Sequence, residues 1–365
     1  MTEITRGLAA QFGIRQLLIF TGMNCCLRCS YCFLPKGSED MSIDTLFAAM
    51  EFLASLTEQP SLHFFGTEPT MQWHLIEQAR QKVNWPISLT TNGYLLTTKR
   101  IDWCNEHDVK VYVYSIDGGP HHNRHRLTRS GRESWDIVAR HFRYLAKRQS
   151  TVTARATWTP RDYDLVGRFR ALTDLGAPSI QVVPDIDGPP WDEEKVEQAY
   201  LDLGEHYKWG WTPSHYVNSM VASIKEQRPK PGNPCRFGYH SWAVMPDGTL
   251  KTCQRGEPIG NIWDGITNPA PLYESALCTV LLETRTPLAD ECEECVAFPY
   301  CPGVGYCCAA NRAQGSSVMP TEAHCTHLRG MVRACMVWAK EQDKRNTARV
   351  ILPQVLGVIH DRETA

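Results

Sequence analysis

Two periodicities alternate along the first half of the chain. Short apolar runs of strand length occur at residues 16–21, 61–65, 87–90, 109–115, 151–158 and 180–183. Between them, apolar residues recur at helical spacing over 43–56, 71–83, 98–106, 135–147 and 163–175. Strand–helix units in this order imply parallel strands joined by right-handed crossovers. Six units suit a partial barrel with an open side better than a closed eightfold one. A polar helical stretch follows over 192–227. Pro229-Lys230-Pro231-Gly232-Asn233-Pro234 then reads as a linker, and Pro246-Asp247-Gly248-Thr249 as a hairpin turn. No internal repeat at a fixed period is visible.

Composition narrows the function classes. The 365 residues allow two or three domains, and the 42% hydrophobic and 21% charged residues are ordinary for a globular protein. A net charge of −2 gives no polybasic footprint for nucleic acid or an acidic membrane surface. No apolar run approaches the ~18 residues that span a bilayer. The first residues, Met1 to Arg6, lack the charged-then-apolar order of a secretory signal. Fifteen cysteines without such a signal point to reduced thiols in the cytoplasm, and to cluster or metal ligands before disulfides.

Cys25, Cys29 and Cys32 form a Cys-x3-Cys-x2-Cys loop directly after the first predicted strand. That is the strand end at which barrel chemistry is found. Most 4Fe–4S clusters take four cysteines, so a trio leaves one iron open to a small molecule. The alternative is part of a zinc site, which needs a fourth ligand such as histidine, and the loop contains none. The motif resembles the signature of the radical S-adenosylmethionine (SAM) enzymes. The resemblance makes Cys25, Cys29 and Cys32 the catalytic cluster ligands, with Tyr31 among the cofactor-binding residues. It implies that S-adenosyl-L-methionine chelates the open iron, and that one electron from a flavodoxin or ferredoxin yields a 5′-deoxyadenosyl radical. Gly66-Thr67-Glu68-Pro69 resembles the family's Gly-Gly-Glu-Pro segment, with Thr67 in place of the second glycine. By that match Glu68 accepts from the cofactor's ammonium. Thr91-Asn92-Gly93 places Asn92 near the ribose. Ser115-Ile116-Asp117-Gly118 offers Ser115 and Asp117 to the ribose hydroxyls, and Arg126 is matched to the methionine carboxylate. Asn123 departs from the usual aspartate. Singly, glycine, asparagine and aspartate after strands are ordinary turn residues. Their joint occurrence on one barrel face gives the match its weight.

A second cysteine set follows the linker: Cys235-x12-Gly248-x4-Cys253, Cys292-x2-Cys295-x5-Cys301, then Cys307, Cys308 and Cys325. It resembles the seven-cysteine SPASM domain appended to many radical SAM enzymes. A zinc ribbon is the plainer alternative. The resemblance implies one auxiliary cluster on Cys292, Cys295, Cys301 and Cys325. It implies a second on Cys235, Cys253 and either Cys307 or Cys308, since five residues follow Cys301 where the family has three. Pro229 stands where some relatives carry a further cysteine, so this cluster either keeps an open iron or is completed by Cys308. The total is three 4Fe–4S clusters. Cys26, Cys104, Cys278 and Cys335 read as small buried apolar residues.

The expected fold is α/β, a partial (β/α)6 TIM-like barrel followed by a small cysteine-rich SPASM auxiliary-cluster domain. The expected divisions are a barrel over 1–190, a helical bridge and linker over 191–234, a SPASM domain over 235–330 and a C-terminal helix and tail over 331–365. The function implied is a maturase that oxidatively modifies a ribosomal precursor peptide, by crosslinking its side chains. Alternatives are a radical SAM dehydrogenase of a small molecule and an anaerobic sulfatase-maturing enzyme. Against the latter, Gln254 stands where that branch places a proton-accepting aspartate. About 15 residues precede the first strand, too few for a leader-binding module. The peptide is therefore expected on the open barrel edge, on the bridge with its Trp191, Trp209 and Trp211, or on a separate leader-binding protein. These tryptophans otherwise read as packing.

Overall fold

A computed structural model of the protein describes residues 13–228, 238–276, 290–301 and 320–360. Strands β1 (Gln16–Phe20), β2 (Ser61–Phe65), β3 (Ile87–Thr91), β4 (Val109–Ser115), β5 (Thr153–Trp158) and β6 (Ser179–Pro184) pair in parallel in chain order. The crossovers carry α1 (Ile43–Leu56), α2 (Trp73–Lys82), α3 (Thr98–Glu106), α4 (Gly119–His125), α5 (Trp135–Ala146) and α6 (Leu165–Asp174). Three of these helices start where a side chain takes an otherwise orphaned N–H: Ser42 from Thr45, Thr97 from Arg100 and Asp164 from Gly167. Leu17, Ile19, Leu62, Phe64, Leu89 and Val111 of the sheet are fully buried, in one core cluster with Phe52, Leu75 and Ile101 of the helices. The predicted α/β architecture with its parallel sheet is observed.

Beyond α7 (Glu193–His206) and α8 (His215–Lys225), the sheet continues. β7 (Ser241–Val244) pairs in parallel with β1, Gln16 opposite Ser241. β8 (Thr249–Lys251) and β9 (Pro258–Asn261) add antiparallel strands, giving the order β6-β5-β4-β3-β2-β1-β7-β8-β9. The predicted hairpin turn joins β7 to β8, with Gly248 at φ +86°. The edge beside β1 is covered by β7, and among the described residues the outer strands are β6 and β9. At β6, the Ile180 N–H already donates to the Pro213 carbonyl at 2.9 Å.

The chain then forms α9 (Ile262–Thr267), α10 (Asp290–Glu293) and α11 (Glu322–His360). The last helix thus begins nine residues before the boundary expected at 331. It lies against α7, where a Cβ on Gly330 would come within 2.6 Å of the Glu193 carbonyl oxygen. Arg329 Nε reaches Glu193 Oε1 at 2.6 Å, and Arg333 Nη2 reaches Glu193 Oε2 at 3.0 Å. Trp191 is buried among Trp158, Tyr163 and His327, and Trp209 packs on Trp338. Both are packing residues; Trp211 is 76% exposed. Among the described residues no helix is long and apolar enough to cross a membrane.

Candidate active site

The cysteine loop leaves β1 at the C-terminal end of the sheet. Its base is closed by Met23 N–H to Glu39 O (2.8 Å), Gly37 N–H to Met23 O (3.0 Å) and Met41 N–H to Thr21 O (2.9 Å). Its far side is held by the chain around Arg126. Arg28 N–H donates to Leu127 O at 2.8 Å, Arg129 N–H to Cys26 O at 3.2 Å, and Ser30 N–H to His125 O at 3.1 Å. Thr67 Oγ1 donates to Gly22 O and Asn24 O, tying in the segment after β2. The loop is therefore closed on itself by backbone bonds and tied to two other parts of the barrel mouth, the 125–129 segment and Thr67.

Each sulfur of the trio meets its own donor. Lys36 Nζ is 3.1 Å from Cys32 Sγ, Arg126 Nη1 is 3.8 Å from Cys29 Sγ, and Asn92 Nδ2 is 3.5 Å from Cys25 Sγ. A hydrogen bond from Cys26 lowers the Cys25 thiol to about 7, against burial and the Glu68 charge. Burial pushes Cys29 up to about 11, with Arg126 opposing. Among the described residues no three His, Cys, Asp or Glu side chains close on a single metal ion. Each sulfur of the trio has a separate donor, and in a cubane each ligand sulfur belongs to a different iron. The donor set thus fits the cluster that the spacing predicts. Cys104 and Cys335 are buried as expected, but Cys26 is not inert filling: it shares the Asn92 amide, 3.5 Å from its own sulfur.

The expected cofactor-binding residues lie together at this mouth, several with other partners. Glu68 is 2% exposed. Its carboxylate accepts from Thr70 N–H (3.0 Å), Thr70 Oγ1, Thr91 Oγ1 (2.7 Å) and Asn92 N–H (2.7 Å). Oε1 takes three of these donors and Oε2 one, so the carboxylate is anchored in the scaffold beside the cysteine loop. Pro69 opens the short 3-10 turn that Glu68 caps. Gly66 sits at φ +113°, where a Cβ would lie 2.7 Å from the Phe20 ring; its glycine is required by packing as well as by backbone conformation. Asp117 is fully buried. It accepts from the Tyr31 hydroxyl and from Thr157 N–H at 2.9 Å, and pairs with Arg126 Nε at 3.1 Å. Asp117 is thus held in a buried ion pair just beyond β4. Arg126 also lies over the Tyr31 ring at 5.4 Å, and Ser115 is half-buried at the end of β4. Spacing could not reveal the Glu68 and Asp117 networks, because their partners come from other crossovers.

In the C-terminal region Cys292, Cys295, Cys301 and Cys325 line one small apolar cavity of about 30 Å³, with Ala297, Phe298, Pro320, His324 and Leu328. Burial pushes Cys325 up to about 11, Arg329 opposes, and the three neighbouring cysteines add to the rise. The four expected ligands of one auxiliary cluster therefore share one cavity. Cys253 is described, with Arg255 N–H 3.4 Å from its sulfur. Cys235, Cys307, Cys308 and Cys278 lie outside the described residues.

Comparison with known proteins agrees with this reading of the barrel. Residues 19–162 match the model of the Radical SAM superfamily, as the cysteine trio predicts. An uncharacterized protein of Methanocaldococcus jannaschii is 31% identical over 114 residues. That match covers 29% of this chain and 40% of the relative's length. Two solved structures share the fold over most of the chain. The anSMEcpe structure with bound AdoMet aligns with a TM-score of 0.68 at 17% identity, covering 91% of this chain and 99% of that one. Streptococcus suis SuiB bound to the precursor peptide SuiA aligns with a TM-score of 0.62 at 13% identity, covering 88% and 78%.

Proposed function

We propose that the protein is a SPASM-type radical SAM enzyme that oxidatively modifies a ribosomally made peptide, crosslinking its side chains. The observation that carries this reading is the cysteine loop at the barrel mouth, where each sulfur of the trio meets its own donor. Cys25, Cys29 and Cys32 would hold a 4Fe–4S cluster with one open iron. The cofactor bound there supplies a carbon radical able to take hydrogen from an unactivated C–H bond. The chain's own residues anchor and shield that site. Asp117 fixes Arg126 in place, and the Arg126 guanidinium presents donors suited to a carboxylate. Asn92, Tyr114 and Asp117 form a buried shell beneath the mouth. Cys292, Cys295, Cys301 and Cys325 would hold an auxiliary cluster that accepts the second electron, which makes the net reaction an oxidation.

The peptide assignment is supported by two relatives in fold: SuiB was solved with its precursor peptide, and anSMEcpe with the Cp18Cys peptide. With the β1 edge covered, the peptide reaches the mouth from the open face, not by adding a strand beside β1. Co-expression with peptides encoded beside the gene, read by mass spectrometry, tests the reading. The expected product is lighter by about two hydrogens per crosslink. Unchanged peptide masses together with turnover of a small molecule would replace it with the dehydrogenase reading. Anaerobic reconstitution should give about 12 irons per chain, four for each of three clusters. About four irons, or stoichiometric zinc, would refute the auxiliary sites.

A further inference from the structure

We propose that Asn92 is a hydrogen-bond donor to the ligand sulfur of Cys25, held in place by Glu68, and that this pair sets how readily the cluster on Cys25, Cys29 and Cys32 accepts an electron. The inference rests on the radical SAM reading of the trio. Asn92 is 6% exposed, and its orientation is over-determined. Its Oδ1 accepts from Tyr94 N–H at 3.0 Å, which turns Nδ2 toward the sulfurs of Cys25 and Cys26, each 3.5 Å away. The Cys26 sulfur also lies 3.7 Å from the same Oδ1. The backbone is fixed as firmly. Asn92 N–H donates to Glu68 Oε2 at 2.7 Å, while Glu68 Oε1 is anchored by Thr70 and Thr91. The next residue, Gly93, takes φ +75°, and any Cβ there would overlap the Tyr114 ring. A buried carboxylate, a turn that admits glycine and an aimed amide thus converge on one sulfur.

The chemistry follows from charge. Reduction adds an electron to a cluster already carrying thiolates, and N–H donation to a ligand sulfur stabilises the added charge. Such a donor raises the reduction potential, and the low dielectric of a buried site strengthens it. Glu68 does not touch the cluster ligands; it is a positioning residue that acts through Asn92.

The test is a redox titration of the reconstituted full-length enzyme, following the EPR signal that responds to added S-adenosylmethionine. Asn92→Leu keeps the side-chain size and removes the donor. At a fixed potential the ratio of reduced to oxidised cluster should fall about tenfold, the worth of one charge-assisted bond, or ~59 mV for a one-electron couple. A variant that titrates with the wild type would overturn the proposal. If no EPR signal responds to S-adenosylmethionine even in the wild type, the reading of the trio falls instead. A second measurement needs no substitution at Asn92. Wild-type enzyme labelled with amide-¹⁵N asparagine should give a ¹⁵N coupling to the reduced cluster in pulsed EPR, and Glu68→Gln should weaken it. No coupling in the wild type removes the donor; an undiminished coupling in Glu68→Gln removes the role of Glu68.

Discussion

Burial alone would push the Asp117 carboxyl toward its neutral form, yet Arg126, His122 and the Tyr31 hydroxyl hold it below the usual carboxylate range. Its folded value therefore lies under the unfolded ~3.9. The ion pair's contribution is complete above about pH 4 and fades as pH falls through the depressed folded value. Asp117→Asn should cost roughly 3–5 kcal/mol near neutral pH, because it strands a buried Arg126; a urea midpoint equal to wild type would contradict this. Histidines impose the opposite charge balance. Burial holds His63 at about 4 and His122 at about 3, the latter against the pull of Asp117. Between pH 6.5 and 4 the unfolded chain binds protons that the folded chain refuses. Stability should therefore fall on acidification, by up to about 1.4 kcal/mol per pH unit for each of the two, read from urea midpoints across that window. Replacing Cys25, Cys29 and Cys32 together by alanine should abolish 5′-deoxyadenosine formation and leave the auxiliary cluster absorbance. At this scale the sequence carried the trio plainly, because its ligands share one loop. The pairing of Glu68 with Thr91 and Asn92 was hidden, because a carboxylate's donors on the next strand leave no spacing to read.

Elements were legible in proportion to their length and period. The six parallel strands follow apolar runs in which alternate residues are buried, as Leu62 and Phe64 are in β2 and Ile180 and Val182 in β6. β7 was not legible: Ser241–Val244 is four residues long, and its partner is at the other end of the chain. Two close joints between elements are made by glycines. Gly66→Ala should cost about 1–3 kcal/mol, from a left-handed backbone and from the Phe20 ring in its way. Gly330→Val should separate α11 from α7 and destabilise by a comparable amount, about 1–3 kcal/mol for overpacking. Thermal midpoints check both, and a variant as stable as wild type would show that the joint can open without loss.

Across the whole molecule, the first and last thirds of the chain meet in one sheet. β1 has β2 on one side and β7 on the other, so the strand that launches the cysteine loop completes its ladder only when Ser241–Val244 arrives. This gives synthesis an order. At roughly 5–20 residues per second, β1 spends on the order of 10–50 s emerged with one edge bare. A bare edge is a template for pairing with another chain, and a contact this distant in sequence closes slowly. Oxygen and stray metals have the same interval in which to reach Cys25, Cys29 and Cys32 before the sheet is complete. The yield of folded protein should therefore depend on how fast β7 finds β1.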